Sequence, residues 1–304
     1  MNELMSGFFM NLEEPVFRPP REHDSLIIQA TIGCSRNGCL FCAMYKGKKF
    51  RIKTPAEIER EAAAFPAPLR SGVSKIFLAD ANAFCIKSDD LLEMAAILKK
   101  YFVNSRFISI YASPLDILEK SGGELEALRK AGIKNLYVGL ETGSDAVLKI
   151  MNKPGGFAES SLAMQKAHAA GFVLSVTLLL GIGGKKYTAE HSFESARLIN
   201  ECPPRFVNTL TLTLYKTAPL YKAAVRGDFE TLSNDGIIEE HCDFIKRLTV
   251  NRVIYRSNHV SNFIGLEGVL SRDKESLLAA LSKFKQESVS NNFINLKTGG
   301  NYEI

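Results

Sequence analysis

Residues 25–42 read SLIIQATIGCSRNGCLFC, an apolar run that breaks at Gly33 and then places three cysteines within nine positions. The run is apolar on both of its alternating faces, as expected for a parallel strand covered on two sides. Five further stretches are rich in apolar and β-branched residues: KIFLADA (75–81), RFISIYA (106–112), NLYVGLE (135–141), FVLSVTLLLG (172–181) and RFVNTLTLTLY (205–215). Helical patterns with readable ends lie between them. Thr54-Pro55-Ala56-Glu57 is a capping box with proline at the first helical position. Ser88-Asp89-Asp90 opens LLEMAAILKK, and SLAMQKAHAAG closes on Gly171, a residue suited to the left-handed turn after a helix. Strands alternating with helices predict an α/β chain with a parallel sheet, wound either as a barrel or as an open doubly wound sheet.

The totals agree with a globular chain: 304 residues, 46% hydrophobic and 23% charged. No apolar run approaches the roughly 20 residues that span a bilayer, so no membrane segment is expected. The start, MNELMSGFFMNLEEPVF, carries acids and lacks a basic n-region, which does not read as a signal peptide. The expected location is cytoplasmic, where structural disulfides are rare. We read residues 1–24 as an N-terminal segment, 25–215 as the core, 216–286 as an extension packed on it, and 287–304 as a mobile tail. The net charge of +5 is partly local, in KGKKFRIK (46–53). That run reads as a solvated basic loop with Phe50 and Ile52 packed beneath it, and it leaves RNA or peptide open as partners.

The spacing Cys34-x4-Cys39-x2-Cys42 falls at the C-terminal end of the first strand, where β/α folds build their sites. Gly33 and Gly38 let the loop curl its thiolates inward. Three thiolates suit a soft metal centre, and thiolate is the usual ligand of iron–sulfur clusters. On a four-iron cluster, three local cysteines would leave one iron open. Other readings stand beside this one. A closed zinc site needs a fourth ligand, for which Cys85, Cys202, Cys242 and His191 are the candidates. A Cys39–Cys42 redox pair leaves Cys34 unexplained, and the three cysteines could also have no joint role.

CSRNGCLFC resembles the cluster loop of the radical S-adenosylmethionine (SAM) superfamily, including the aromatic Phe41 just before the last cysteine. The usual spacing there has three residues between the first two cysteines; this chain has four. LYVGLETGSDAVLKIMNK (136–153) resembles the fourth-strand segment of the methylthiotransferase and elongator-type branch, and LLLGIGG (178–184) its fifth-strand glycine motif. The resemblance covers about residues 25 to 215. It implies a partial (β/α)6 TIM-like barrel with a small C-terminal helical extension. It also implies a [4Fe-4S] cluster on Cys34, Cys39 and Cys42, with SAM on the open iron. The implied activity is reductive cleavage of SAM to a 5′-deoxyadenosyl radical, which abstracts hydrogen from a small-molecule substrate, with ferredoxin or flavodoxin as reductant.

By the same resemblance, Phe41 lies beside the cofactor. Asp80 and Asn82 stand where SAM's amino group is held, although both also suit turn chemistry after a strand. Ser109 and Tyr111, on one face of the third strand with Ser113, are candidates to line the cavity. Glu141 is a candidate for the ribose hydroxyls, against a turn-capping role near Ser144. Thr177 and Gly181 would let the backbone approach adenine. Asn258, His259 and Asn262, in the polar stretch RSNHVSN (256–262), are candidates to reach substrate. No second cysteine set is visible, which disfavours sulfur insertion. The rival from another class is a zinc-stabilised, non-enzymatic protein that binds nucleic acid or another anion through the basic run. Such a module has no need of polar groups at four successive strand ends.

Overall fold

The structure is a computed structural model and describes residues 11–290. Its strands and helices alternate where the apolar stretches and caps place them. The strands are β1 (Leu26–Gln29), β2 (Thr31–Ile32), β3 (Arg51–Ile52), β4 (Lys75–Ala79), β5 (Phe107–Ala112), β6 (Ile133–Glu141), β7 (Val173–Leu180), β8 (Phe206–Thr211), β9 (Ile254–Arg256) and β10 (Glu267–Val269). The helices are α1 (Pro55–Ala64), α2 (Ala67–Arg70), α3 (Ser88–Tyr101), α4 (Pro114–Leu118), α5 (Gly122–Lys130), α6 (Asp145–Ile150), α7 (Phe157–Ala169), α8 (Gly184–Glu201), α9 (Pro219–Val225), α10 (Asn234–Arg247) and α11 (Leu270–Ser290). The capping box at Thr54 forms as read, its hydroxyl accepting from Glu57 N while Glu57 accepts from Thr54 N. Gly171 takes φ +81° just past α7.

The main sheet has the order β1-β4-β5-β6-β7-β8-β9-β10. β1, β4, β5 and β6 pair in parallel, as do β8 and β9, while β10 turns back antiparallel on β9. The sheet is therefore mostly parallel, and β1 and β10 are its two edges. Burial on both faces explains the continuous apolar runs: Ile76, Phe77, Leu78 and Ala79 are all fully buried, as are Leu174 and Val176. The extension, read as helical, also adds β9 and β10, whose three-residue length gives a weak sequence signal.

Two compact units divide the described chain. The first takes the chain up to Asn37, then Met44–Gly139 and Leu162–Ser175; the second takes Gly38–Ala43, Leu140–Ser161 and the chain from Val176 on. The cysteine loop is thereby shared, Cys34 in the first unit and Cys39 and Cys42 in the second. In the first, Ile27, Phe77, Ala79 and Tyr137 form a core on which Leu12 and Val16 also pack. In the second, Val147, Met151, Leu179, Ile182 and Leu220 form another.

The basic run corrects our reading. It is not a solvated loop over Phe50 and Ile52: Ile52 is 40% exposed whereas Lys53 is only 2% exposed. Lys53 Nζ lies 2.5 Å from Glu61, Arg51 bridges Glu13 and Glu57, and Lys48 meets Asp80 and the carbonyls of Glu13 and Pro15. Of these cations Lys48 and Lys53 are spent on buried partners, while the Arg51 pairs lie at the surface. Of the expected tail, residues 291–304 lie outside the described residues, and the preceding four belong to α11. Among the described residues no helix is long and apolar enough to cross a membrane.

Candidate active site

Cys34 is bracketed by two side chains from the loop after β4. Asp80 Oδ2 accepts from Gly33 N at 2.9 Å, and Asn82 Oδ1 accepts from Ser35 N at 3.2 Å. The residue on each side of the cysteine is thus held by the two candidates expected after this strand, Asp80 and Asn82. Asp80 is fully buried, and its Oδ2 also accepts from Gln29 (2.9 Å) and Lys48 (3.1 Å). Burial raises its pKa, and the Gly33 amide and the Lys48 ammonium work in the opposite direction. Its other oxygen, Oδ1, is buried with no hydrogen-bond partner among the described residues.

Asn82 donates its amide to Ser35 Oγ (2.6 Å) and Asp116 Oδ2 (3.2 Å). All of these bonds belong to the loop scaffold. Asp116 in turn accepts from Ser113 N, Ser113 Oγ and Arg36 Nη2. Ser113 is thereby the N-cap of α4, with Pro114 at N1 and Asp116 at N3 closing the capping box. Arg36 lies in the spacer that is one residue longer than usual, and its guanidinium is 3.1 Å from Asp116.

The other two candidates of the first unit are held by their own partners. Ser109 Oγ donates to Glu22 (3.0 Å), a buried carboxylate that also accepts from Tyr137 Oη (2.6 Å) and Ser25. Tyr111 stacks edge-on with Phe77, ring centroids 4.9 Å apart, and with Tyr137. Burial pushes both tyrosine hydroxyls well above their ordinary range.

In the second unit, the Gly38–Ala43 piece is stitched down through its backbone. Leu40 N donates to Met151 O, Leu220 N donates to Leu40 O, and Asn152 Nδ2 donates to Gly38 O. Cys42 N reaches Cys39 O at 3.4 Å, so the two cysteines share one turn. Phe41 packs with Leu40 on the Met151–Ile182 core, which fixes the chain between the two thiols. Glu141 ends β6 at φ +66° and lies 3.5 Å from Lys153 Nζ. Ser144 caps α6 through Val147 N, as read for the turn after Glu141. Thr177 is half-buried in β7, and Gly181 takes φ +80°, where a Cβ would fall 2.5 Å from Ile237.

Asn262 does not stand alone: it accepts from Thr211 Oγ1 and donates to Thr209 O and Ser257 O, while His259 Nδ1 meets Ser261. None of the six cysteines is in a disulfide; Cys34, Cys39 and Cys42 are half-buried, and Cys202 is buried against Ser161 Oγ at 3.3 Å.

A sequence model of the radical SAM superfamily matches residues 28–199, more than half of the chain. The chain belongs to the radical SAM superfamily. Enzymes of this superfamily use a [4Fe-4S] cluster and SAM for radical chemistry on a partial TIM-barrel fold, and this chain is an enzyme of that class. No curated protein sequence matches it significantly. Solved structures show the same fold. The archaeal Methanocaldococcus infernus Elp3, with its N-terminus deleted, is 16% identical over 77% of this chain and 58% of its own, with a TM-score of 0.52. Coproporphyrinogen III oxidase (HemN) from Escherichia coli, a radical SAM enzyme, is 18% identical over 73% of this chain and 51% of its own, at 0.54. The radical SAM methyltransferase TsrM from Kitasatospora setae, with cobalamin and a [4Fe-4S] cluster bound, is 15% identical over 68% and 39%, at 0.50. The chain thus spans between 39% and 58% of the lengths of these structures.

The radical SAM cofactors suit the donors present. Three half-buried thiols outside any disulfide have the chemistry of cluster ligands, and a buried carboxylate oxygen lacking a donor among the described residues suits the ammonium group of SAM. Among the described residues no three His, Cys, Asp or Glu side chains gather around one metal ion. The sequence reading missed Arg36, Asp116 and Lys153, which hold the residues named above. Only Lys153 carried a signal, as the last residue of the matched fourth-strand segment.

Proposed function

We propose that this enzyme reductively cleaves SAM and uses the resulting radical to abstract hydrogen from a small-molecule substrate. One observation carries the reading: Asp80 and Asn82 hold the residues on either side of Cys34, while Asp80 Oδ1 is buried without a donor among the described residues. A buried carboxylate oxygen left unpaired is costly, on the order of 1–3 kcal/mol or more. Such a cost is expected where a ligand supplies the missing donor.

Cys34, Cys39 and Cys42 would hold the cluster as thiolates, with Phe41 screening the loop. When loaded, the site supplies one-electron cleavage of the SAM sulfonium to methionine and a 5′-deoxyadenosyl radical. Asp80 Oδ1 would accept from the amino group of SAM. Glu141 would take the ribose hydroxyls, with Lys153 beside it as its ion-pair partner. Thr177 and Gly181 would border the adenine. Ser109 and Tyr111 serve instead as a buried floor, through Glu22 and the aromatic contacts with Phe77 and Tyr137. The reductant would be a ferredoxin or flavodoxin. RNA or a peptide is a weaker substrate reading, because Lys48, Arg51 and Lys53 are paired within the chain.

The test is anaerobic reconstitution with iron and sulfide, then dithionite and SAM. About four irons per chain and release of 5′-deoxyadenosine are expected. Cys39→Ala should lose both while staying folded. Zinc in place of iron, with SAM left intact, would return the loop to a structural clamp.

A further inference from the structure

Glu240 of α10, in the C-terminal extension, is buried at 3% exposure although, among the described residues, no arginine or lysine is paired with its carboxylate. Its Oε1 accepts from Gly181 N at 2.6 Å, and its Oε2 accepts from Thr188 Oγ1 at 2.5 Å. Gly181 opens the glycine motif after β7. Gly181 lies just past the last residue of β7, Leu180, so its N–H takes a side-chain partner in place of a ladder bond. The same oxygen Oε1 lies 3.7 Å from His191 Nε2, an electrostatic contact rather than a hydrogen bond.

His191 continues the chain to the other matched turn. Its Nδ1 lies 2.8 Å from Thr142 Oγ1 and 3.3 Å from Ser195 Oγ. Thr142 Oγ1 accepts from Ser144 N, and Ser195 Oγ accepts from Gly143 N. Each hydroxyl already accepts one bond and keeps a proton that it can give to Nδ1; in that tautomer the proton of the neutral ring sits on Nε2, facing Glu240. Ser144 Oγ is tied to the same helix, donating to Glu190 at 2.6 Å. One buried carboxylate thus supports the turn after β7 directly and the turn after β6 through a single histidine.

We infer that Glu240 is a positioning residue for SAM, and that the extension completes the cofactor site by fixing both turns. This rests on the reading that Glu141 and Gly181 border SAM. Neither Glu240 nor His191 contacts the ligand; they set the backbone that does.

Reconstituted enzyme titrated with SAM by calorimetry, in parallel with iron analysis, tests the inference. Glu240→Ala should weaken SAM binding by about tenfold or more, the scale of one lost hydrogen bond to a charged group. Glu240→Gln keeps an oxygen for Gly181 N and should stay within about threefold of the parent. Iron per chain should be the same in all. His191→Asn, too short to join Thr142 to Glu240, should weaken binding by about threefold to tenfold with the Gly181 bond intact. Parent-like affinity in Glu240→Ala, or equal losses in the Ala and Gln variants, would overturn the inference. If Glu240→Ala does not fold, unchanged affinity in His191→Asn does the same. Failure of the parent enzyme to bind SAM would bring down the functional reading itself, and this inference with it.

Discussion

Asp116 shows how much can depend on one buried carboxylate near a cysteine loop. Its Oδ2 accepts from Ser113 N, Ser113 Oγ and Asn82 Nδ2, and its Oδ1 accepts from Arg36 Nη2. Four donors converge on two oxygens, and Arg36 is the second residue of the four-residue spacer between Cys34 and Cys39. The longer spacer is therefore anchored rather than slack. Asp116→Asn keeps the volume but turns an amide NH2 against at least one of those donors and removes the charge facing Arg36. We expect it to cost about 3 kcal/mol, the scale of a broken buried ion pair. Less iron should be retained after reconstitution, because Ser35 and Arg36 lose their common anchor. Urea unfolding and iron analysis check both. An unchanged midpoint would mean that Arg36 and Asn82 find equivalent partners without Asp116.

At the scale of elements, the turn between β6 and α6 is pressed against α8. Gly143 N donates to Ser195 Oγ at 2.9 Å, and a Cβ at Gly143 would fall 2.3 Å from the Glu194 carbonyl oxygen, deep inside contact distance. Gly143→Ala must push α8 away from the turn, at a cost of about 1–3 kcal/mol. Gly123, near the start of α5, meets nothing within 4 Å, so Gly123→Ala should raise stability by about 0.5 kcal/mol. Thermal melts of the two variants should move in opposite directions; a common shift would contradict this packing. The same turn marks the limit of what is legible in the sequence. The capping roles of Thr54 and Ser144 and the glycine at 171 are local chemistry and could be read directly. So could six strands whose apolar residues run on both faces. β2, β3, β9 and β10 are two or three residues long, too short for periodicity to register. The close approach at Gly143 is a contact between segments about fifty residues apart, which no local pattern encodes.

Across the whole molecule, the readable part of the site was its thiols and strand ends, and the unread part was what supports them. Asp116 meets Arg36 across eighty positions, and Glu240 meets Gly181 across fifty-nine. Such pairings exist only once the β/α units are wound together, so spacing gives no hint of them. Their burial has a consequence for pH. Burial, with the nearby Asp243 charge adding to it, lifts Glu240 to about 7 in the folded chain, against an ordinary value of 4.5. Between those two values the folded chain keeps a proton that the unfolded chain has released. The Glu240 contribution to stability therefore falls as pH rises from about 4.5 to 7 and stays at its lower level above that. His191 and His241 act in the opposite sense. Burial lowers both to about 4, so their contribution is present above 6.5 and is lost as pH falls toward 4. Comparing the parent with Glu240→Gln cancels the His241 term and, with His191 set by its burial, leaves the Glu240 term dominant. The stability of the variant relative to the parent should climb between about pH 4.5 and 7 and then level off. Urea midpoints taken every half unit from pH 4.5 to 8 would trace this curve. A difference independent of pH would mean that the Glu240 carboxylate is as well solvated in the fold as in the open chain, and that the buried link between the two turns is not closed in solution.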